Sequence, residues 1–281
     1  MKTTFKWMFA AILLCGLTIS SCKKDPQPTP DPEPEPTTQT VLAGITAVGV
    51  PFFDSVTYSY EYDDQYRLVR SKAVQTPSGF VIHDYHFTYS DGHITVEGPS
   101  SANDEFLTYE CTLDSEGRIT HIDETSAIGD STTSIQHSDY TYDAEGRIES
   151  SFEITEDASR DGVTQNYTWE GEEIRSISAG DGIMVTDFET SDAPAQAMFN
   201  EIGYDASLWM LCTQGCFGTL PSHMPSKRTN TVEFPIPGMP PYVTVDTYTY
   251  TLNAEGRLAT MEAVMETPDE APTYTFIWEE R

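Results

Sequence analysis

The phrase YTYDAEGRIE, Tyr140–Glu149, returns as CTLDSEGRIT at Cys111–Thr120 and as YTLNAEGRLA at Tyr250–Ala259. A blurred copy, YEYDDQYRLV, stands at Tyr60–Val69. Self-similarity of this kind makes a chain an array of one local unit. The unit reads as a β-hairpin. Asp143 opens a type I turn, its carboxylate accepting from the turn backbone, and Gly146 supplies the left-handed residue that closes a bulged hairpin. That geometry sets Asp143 opposite Arg147 on one face and Tyr142 opposite Ile148 on the other. By the same rule Leu113 meets Ile119 and Leu252 meets Leu258 inside, while Asp114 faces Arg118 and Asn253 faces Arg257 outside. Gly117 and Gly256 take the place of Gly146.

Two shorter turns preserve the pattern. Asp91-Gly92 suits a two-residue turn and leaves Tyr89 facing Ile94; in TWEGEEIR, Trp169 likewise meets Ile174. The outer pair of that hairpin is Glu170 with Glu173, a like-charge contact costing a few tenths of a kcal/mol. In YEYDDQYRLV the glycine position holds Tyr66, a residue ill suited to positive φ, so this turn is expected to differ. Upstream of the turns aromatics alternate with Thr, Ser and Glu, as in Tyr58-Tyr60-Tyr62, Tyr85-Phe87-Tyr89 and Tyr274-Phe276-Trp278. Period two with one apolar face is a half-buried strand. The chain is therefore expected to be mainly β: an antiparallel up-and-down meander of repeated hairpins, a dozen to sixteen strands, strongly curved or barrel-like. A closed barrel of that many strands is too wide for wall side chains alone to fill, so it requires a plug, or must flatten or stay open.

Between Trp169 and Leu252 the phrase is missing, and a helical insert at about 191–216 stands in its place. Ala193–Ile202 and Ala206–Thr213 have helical composition, with Ser191 or Asp192 as cap and Gly215 as stop. This insert is the expected plug. Its apolar residues, Met198, Phe199, Leu208, Trp209, Met210 and Phe217, read first as core. Trp209 is also the aromatic singled out for contact with a ligand.

The first segment, 1–21, has the form of an export signal: Lys2 and Lys6, then an apolar run from Trp7 to Leu17 too short to span a membrane. It ends in ISSC, Ile19–Cys22, which resembles a bacterial lipobox and implies cleavage before Cys22 and lipidation of that cysteine. Residues 22–40 form a Pro/Glu-rich tether, extended at roughly 3.1 Å per residue, and the rest, 41–281, is expected to be one domain. The chain carries 45 acidic against 15 basic residues, net −30, and loss of Lys2 and Lys6 takes it to −32. Nucleic acid is excluded as a partner, because phosphate contacts need Lys and Arg. Direct adsorption to anionic lipid is disfavoured, leaving the lipid anchor as the membrane contact. A membrane-embedded barrel fits poorly, since the polar face is charged and the chain ends in WEER.

No catalytic constellation is visible: there is no G-x-S-x-G elbow, H-E-x-x-H, phosphate loop or calcium loop, and no cofactor is called for. The acids of EDASRDG, Glu156–Gly162, lack ligand spacing. His83 and His86 fall on opposite faces of a strand and cannot chelate together. Cys212 and Cys216 are four apart, open to a disulfide, to two free buried thiols or to a metal site with His223, although a helix suits a disulfide poorly and three ligands are few for zinc. No metal site is assigned. Arg118, Arg147 and Arg257 read as exposed cross-strand pairs worth about 0–1 kcal/mol each.

Hairpins of the form Y-x-Y-D-x-x-G-R-I behind a lipobox, with an insert leading into FGTLPSHMPSK at Phe217–Lys227, resemble a Bacteroidota lipoprotein family of unknown function described as having a porin-like fold. The hairpin phrase itself is shared with tyrosine–aspartate repeats. The resemblance implies a curved or barrel-like antiparallel sheet from Val41 onward and no assigned activity; the CTQGC segment is foreign to it. CKKD before an acidic tether is similar to surface lipoproteins of the same phylum, which implies the outer membrane, on its periplasmic face or the cell surface. Ser55 and Ser131, in Asp-Ser-Val and Asp-Ser-Thr, resemble O-glycosylation sites of that group. The expected protein is an envelope lipoprotein with a non-enzymatic binding or scaffold domain, taking an apolar ligand or a glycan. The alternatives are a hydrolase of envelope or dietary glycan, whose two carboxylates would be defined only in space, and a purely structural envelope component.

Overall fold

A computed structural model describes residues 38–50, 53–100, 105–155, 162–196, 208–236, 238–265 and 271–281. Residues 1–37, which hold the expected leader, Cys22 and most of the expected tether, and the EDASRD segment lie outside the described residues, as do Met198 and Phe199. The strands are β1 Thr40–Val50, β2 Phe53–Tyr62, β3 Leu68–Thr76, β4 Val81–Ser90, β5 His93–Ser100 and β6 Glu105–Leu113. They continue with β7 Ile119–Ile128, β8 Ser131–Tyr142, β9 Ile148–Thr155, β10 Val163–Glu170 and β11 Glu173–Ala179. The last five are β12 Met184–Pro194, β13 His223–Val232, β14 Tyr242–Leu252, β15 Leu258–Val264 and β16 Thr273–Glu280. Each pairs antiparallel with its sequence neighbours, and β1 pairs with β16, so the meander closes as a sixteen-strand barrel. The seam runs on past the strands, where Gln39 and Arg281 exchange both backbone hydrogen bonds at 2.9 and 3.0 Å.

The alternation sends aromatics inward. Tyr60, Tyr85, Phe87, Tyr109, Tyr140, Tyr167, Phe188, Tyr248, Tyr274 and Phe276 are all buried in one continuous core. Ser59, Glu61, Thr88, Glu97, Glu110, Thr141, Thr168, Thr249 and Glu262 face outward and are exposed. A barrel that spans a membrane has the reverse polarity, apolar outside and polar within. Among the described residues no helix is long and apolar enough to cross a membrane.

The registers are those the turn chemistry dictates: Tyr142 with Ile148, Leu113 with Ile119, Tyr89 with Ile94 and Trp169 with Ile174. Leu252 pairs with Leu258 as expected, but it is 46% exposed while Leu258 is fully buried. The bulge between Thr251 and Leu252 is shared by the sister turns, whose Tyr62, Leu113, Tyr142 and Trp169 stay packed against the core, so it is not the cause. The turn at Asp63 also departs from expectation. Tyr66 adopts φ 60° and the turn matches its sisters, with Asp63 N–H donating to Arg67 O and Tyr66 N–H to Asp63 O. Asp63 Oδ1 accepts from Gln65 and Arg67 amides at 2.9 Å, so the surrounding bonds hold the conformation against the side chain's preference.

The arginines of these turns do more than pair across a hairpin. Arg67 lies over the ring of Tyr89, Arg118 over Tyr142, Arg147 over Trp169 and Arg257 over Trp278; Arg281 lies over Tyr62 at the seam. Each of those aromatics in turn donates to a main-chain carbonyl of the preceding hairpin. Tyr89 Oη reaches Leu68 O at 2.9 Å, Tyr142 reaches Ile119 at 2.6 Å, Trp169 Nε1 reaches Ile148 at 2.8 Å and Trp278 reaches Leu258 at 2.7 Å. Tyr62 completes the set on Leu42 O at 2.7 Å. The repeated phrase thus couples neighbouring hairpins along one end of the barrel, through cation–π contacts and buried-end hydrogen bonds. Where the Asp91-Gly92 turn brings no arginine, the next hairpin carries Leu113 in the aromatic position.

The insert enters at this same end. Ala193 and Pro194 finish strand β12 instead of starting a helix, Ser191 donating to Met224 O, and the rest of the first expected helix lies outside the described residues. The second is one 3₁₀ stretch, Trp209–Gln214, stopped by Gly215 in the left-handed conformation. Leu208, Trp209, Met210, Leu211, Cys212, Cys216 and Phe217 are buried against the wall, Trp209 edge-on to Tyr60 and Phe217 edge-on to Tyr140. The plug is tied down by Ile119 N–H to Cys216 O at 2.7 Å and Thr219 N–H to Gly146 O at 2.8 Å. Trp209 is therefore a core residue, 5% exposed, and not a surface for ligand. Cys111, Cys212 and Cys216 are buried and belong to no disulfide. The helix ends at Gly215, so Cys216 is not placed one turn above Cys212, and no bridge joins them. Burial pushes the Cys216 thiol up to about 11, which keeps it protonated.

Candidate functional site

The hairpin residues singled out in sequence, Asp114, Gly117, Arg118, Asp143, Gly146, Arg147, Gly256 and Arg257, all lie at the plugged end. Three of these turns neutralise their own arginine. Arg118 pairs with Asp114, Arg147 with Asp143 and, in the blurred copy, Arg67 with Asp63, at 2.6–2.7 Å. At the fourth, Asn253 stands where the others have aspartate. Its Oδ1 still accepts from the amides of Glu255 and Arg257 at 3.1 and 2.9 Å, so the turn is intact. The charge of Arg257 is left without a carboxylate partner among the described residues.

Arg257 lines a cavity of about 230 Å³ between the seam and the plug. Its aromatic walls are Tyr62, Tyr66 and Trp278, and Gln39, Gln196 and Gln214 add amide groups. The polar tips of the aromatics are engaged elsewhere, Tyr62 on Leu42 O, Trp278 on Leu258 O and Tyr66 on Arg281 O at 3.1 Å. What they offer the cavity is ring surface held in fixed orientation. Gln196 is anchored too, its Oε1 accepting from Leu258 N–H at 2.9 Å, which turns its amide nitrogen into the remaining donor. Burial pushes the Tyr62 phenol up to about 12 against the pull of Arg281, so it stays a neutral donor. A concave, aromatic-lined space with a few fixed polar groups is the usual form of a small-ligand site.

A second cavity, about 450 Å³, opens on the other side of Leu220 and is lined by Glu145, Arg147, Glu172 and Ser222. Its carboxylates hold the plug and the turns: Glu145 lies 3.4 Å from Arg147, and Glu172 accepts from Ser222 Oγ at 2.6 Å.

Other candidates are scattered. His83 faces inward, stacked on Tyr85, and His86 faces out, as their odd spacing requires. His223 Nδ1 lies 2.7 Å from Glu173 Oε1. Ser131 is exposed at the β7–β8 turn and Ser55 is half-buried on β2. Cys22 lies outside the described residues. Sequence reading missed Tyr66, Gln196 and Trp278 as site residues. It also missed two H-x-D triplets, His121-Asp123 and His137-Asp139, that face one another across β7 and β8.

A sixteen-strand meander with an apolar, plugged interior and a polar outer wall defines a porin-like barrel of inverted polarity. Two solved structures share that fold. A porin-like protein from Bacteroides uniformis ATCC 8492 matches with a TM-score of 0.59 and 15% identity over 85% of this chain and 96% of that one. One from Bacteroides vulgatus ATCC 8482 matches with a TM-score of 0.58 and 11% identity over 86% and 99%. At such identities the likeness is one of fold. No known family model matches the chain, and no curated protein matches it in sequence.

Proposed function

We propose that the protein is a non-enzymatic binding module of the cell envelope that takes an acidic sugar at its plugged end. The observation that carries this reading is Arg257. In a chain of net charge −30, it is a cation freed by the Asp-to-Asn exchange in its own turn, and it lies beside Trp278 in an aromatic-lined cavity. The apolar face of a sugar packs against Tyr66 and the ring surface that Arg281 and Arg257 leave uncovered on Tyr62 and Trp278, its hydroxyls meet the glutamine amides, and its carboxylate or sulfate meets the guanidinium. The apolar-ligand alternative is disfavoured, because side chains and plug occupy the barrel interior. The lipobox at Cys22 and the acidic tether support an outer-membrane anchor, with Ser131 accessible to a sugar-transferring enzyme.

The test is calorimetric titration of the chain with uronic-acid oligosaccharides and their neutral counterparts. Binding of the acidic set, weakened at least tenfold in Arg257→Gln with unchanged circular dichroism, is the expected result. No binding of either set overturns the reading and leaves a structural envelope component, and acidic binding indifferent to Arg257→Gln overturns the assignment of this cavity as the site.

A further inference from the structure

The outer wall carries a second constellation, remote in kind from the cavity. In the β7–β8 register His121 lies opposite Asp139 and Asp123 opposite His137, so two H-x-D triplets running in opposite directions place His and Asp at alternate corners of a square. Ile122 and Ser138, between them, point inward and are buried, which puts all four corners on the outer face. His121 Nε2 lies 3.0 Å from Asp123 Oδ1, and His137 Nδ1 lies 2.5 Å from the same oxygen. The two imidazole rings are near parallel, 21° apart. One donor atom from each of His121, Asp123 and His137 falls within 4.8 Å of the others. Donors around a tetrahedral ion at about 2.1 Å are separated by about 3.4 Å, so small side-chain rotations bring these three onto one centre.

From this geometry we infer a binding site for a divalent transition-metal ion of borderline softness, with Zn²⁺ as its type, held by His121 Nε2, His137 Nδ1 and the Asp123 carboxylate. Two imidazoles and one carboxylate suit Zn²⁺, Cu²⁺, Ni²⁺ or Co²⁺ and not the hard cations, which take oxygen. Asp139 gives an independent pointer. Its Oδ1 lies 2.7 Å from His121 Nδ1, the nitrogen that does not face the ion position. A carboxylate on the far nitrogen of a histidine fixes its tautomer and aims the other nitrogen, an arrangement that recurs behind metal-bound histidines. Asp139 is thus a positioning residue and the other three are ligands. The neighbouring strands frame the site, Glu110 in register with Asp123 on one side, and Phe152 and Ile154 with Asp139 and His137 on the other. Three protein donors leave one position of a tetrahedral ion to water or to a donor from another molecule, and the ligand side chains are exposed enough, 29–46%, to admit one.

The test is titration of the chain with Zn²⁺ alone, by calorimetry, with excess Mg²⁺ present to occupy ordinary acidic sites, and with Co²⁺ as a spectroscopic stand-in. One ion per chain is expected, with a visible Co²⁺ band. His121→Ala and His137→Ala are expected to weaken binding at least 100-fold, and Asp139→Asn, which leaves every ligand in place, 10- to 100-fold. Asp187→Asn, an exposed carboxylate elsewhere on the wall, is expected to change nothing. These outward side chains support no core packing, and circular dichroism of each variant checks the fold. Absence of saturable Zn²⁺ uptake overturns the inference, and so does uptake unchanged in Asp139→Asn or in either histidine variant.

Discussion

Tyr66 stands at φ 60°, where its three sister turns place glycine, and its hydroxyl donates to the carbonyl of Arg281, 215 residues further on, at 3.1 Å. A strained residue therefore ties the second hairpin to the last residue of the chain across the barrel seam. Left-handed backbone costs a side chain roughly 1–2 kcal/mol, and one hydrogen bond contributes about 1 kcal/mol. The two nearly cancel. Tyr66→Phe, which removes the bond and keeps the strain, is expected to destabilise by about 1 kcal/mol in urea unfolding. Tyr66→Gly, which removes both, should fall within about 1 kcal/mol of the wild type. A wild-type-like Tyr66→Phe would show that the seam bond contributes nothing.

Asp143 anchors its turn through three bonds: Oδ1 accepts from the amides of Glu145 and Arg147 at 3.0 and 2.9 Å, and Oδ2 from Arg147 Nε at 2.7 Å. Asn253 makes the two amide bonds in its own turn without the ionic one. Asp143→Asn is therefore expected to cost under about 1 kcal/mol, and Asp143→Ala about 1–2 kcal/mol more than that. Thermal unfolding of both variants decides it. Equal losses would mean the ion pair, not the turn, is what aspartate supplies.

How much of this was legible in sequence follows from how local each feature is. The hairpin registers were, because period-two alternation and the turn residues fix them within ten residues; Tyr142–Ile148 and Trp169–Ile174 need nothing from elsewhere. That so wide a barrel must be plugged, flatten or stay open was also legible, from the number of strands, and the insert was the expected plug. The exposure of Leu252 was not legible, because it depends on what packs over that part of the barrel end and not on the hairpin, whose bulge its core-packed sisters share, and Tyr66 was misjudged because its conformation is imposed by Asp63 and by Arg281. The cavity brings together Gln39, Tyr66, Gln196, Arg257 and Trp278, which only closure of β1 on β16 places side by side. Its one sequence signal was the asparagine in YTLNAEGRLA, a single turn position at which the charge balance changes. The His–Asp square had its signal too, H-x-D on two successive strands, but the register that turns two triplets into one site is set by the β7–β8 pairing.

Gly218 seats the plug on the wall. It has φ 77°, and a Cβ there would lie 2.2 Å from Gly146 O and 2.9 Å from a Tyr142 ring carbon. Gly215 has nearly the same backbone, φ 75°, with nothing within 4 Å of an added Cβ. The pair separates crowding from backbone strain. Gly215→Ala is expected to cost about 1 kcal/mol, and Gly218→Ala well over 2 kcal/mol with a shift in Trp209 fluorescence as the plug moves. Similar losses in both would show that the close approach to the 143–147 turn relaxes without consequence.

His83 supplies a pH dependence with a defined window. The ring stacks on Tyr85 at 4.6 Å, its Nε2 lies 3.0 Å from the buried Ser71 Oγ, and burial depresses its pKa to about 4 despite the nearby Asp84. In the unfolded chain it titrates near 6.5. Between those values the unfolded chain holds a proton that the folded one does not, so this stabilisation is complete above about pH 6.5 and is lost as pH falls toward 4. The turn aspartates Asp63, Asp114 and Asp143 contribute lower down. Burial raises each carboxyl, but hydrogen bonds from its arginine and the turn amides outweigh that and hold it below the usual range, so their contribution disappears only beneath about pH 4. The two effects are separable. From pH 7 to pH 5 the wild type is expected to lose about 2 kcal/mol through His83, and His83→Gln should remove that loss from the slope of stability against pH. Urea midpoints at the two pH values measure it, and parallel slopes for wild type and His83→Gln would show that the ring is solvated enough to take up its proton in the folded barrel.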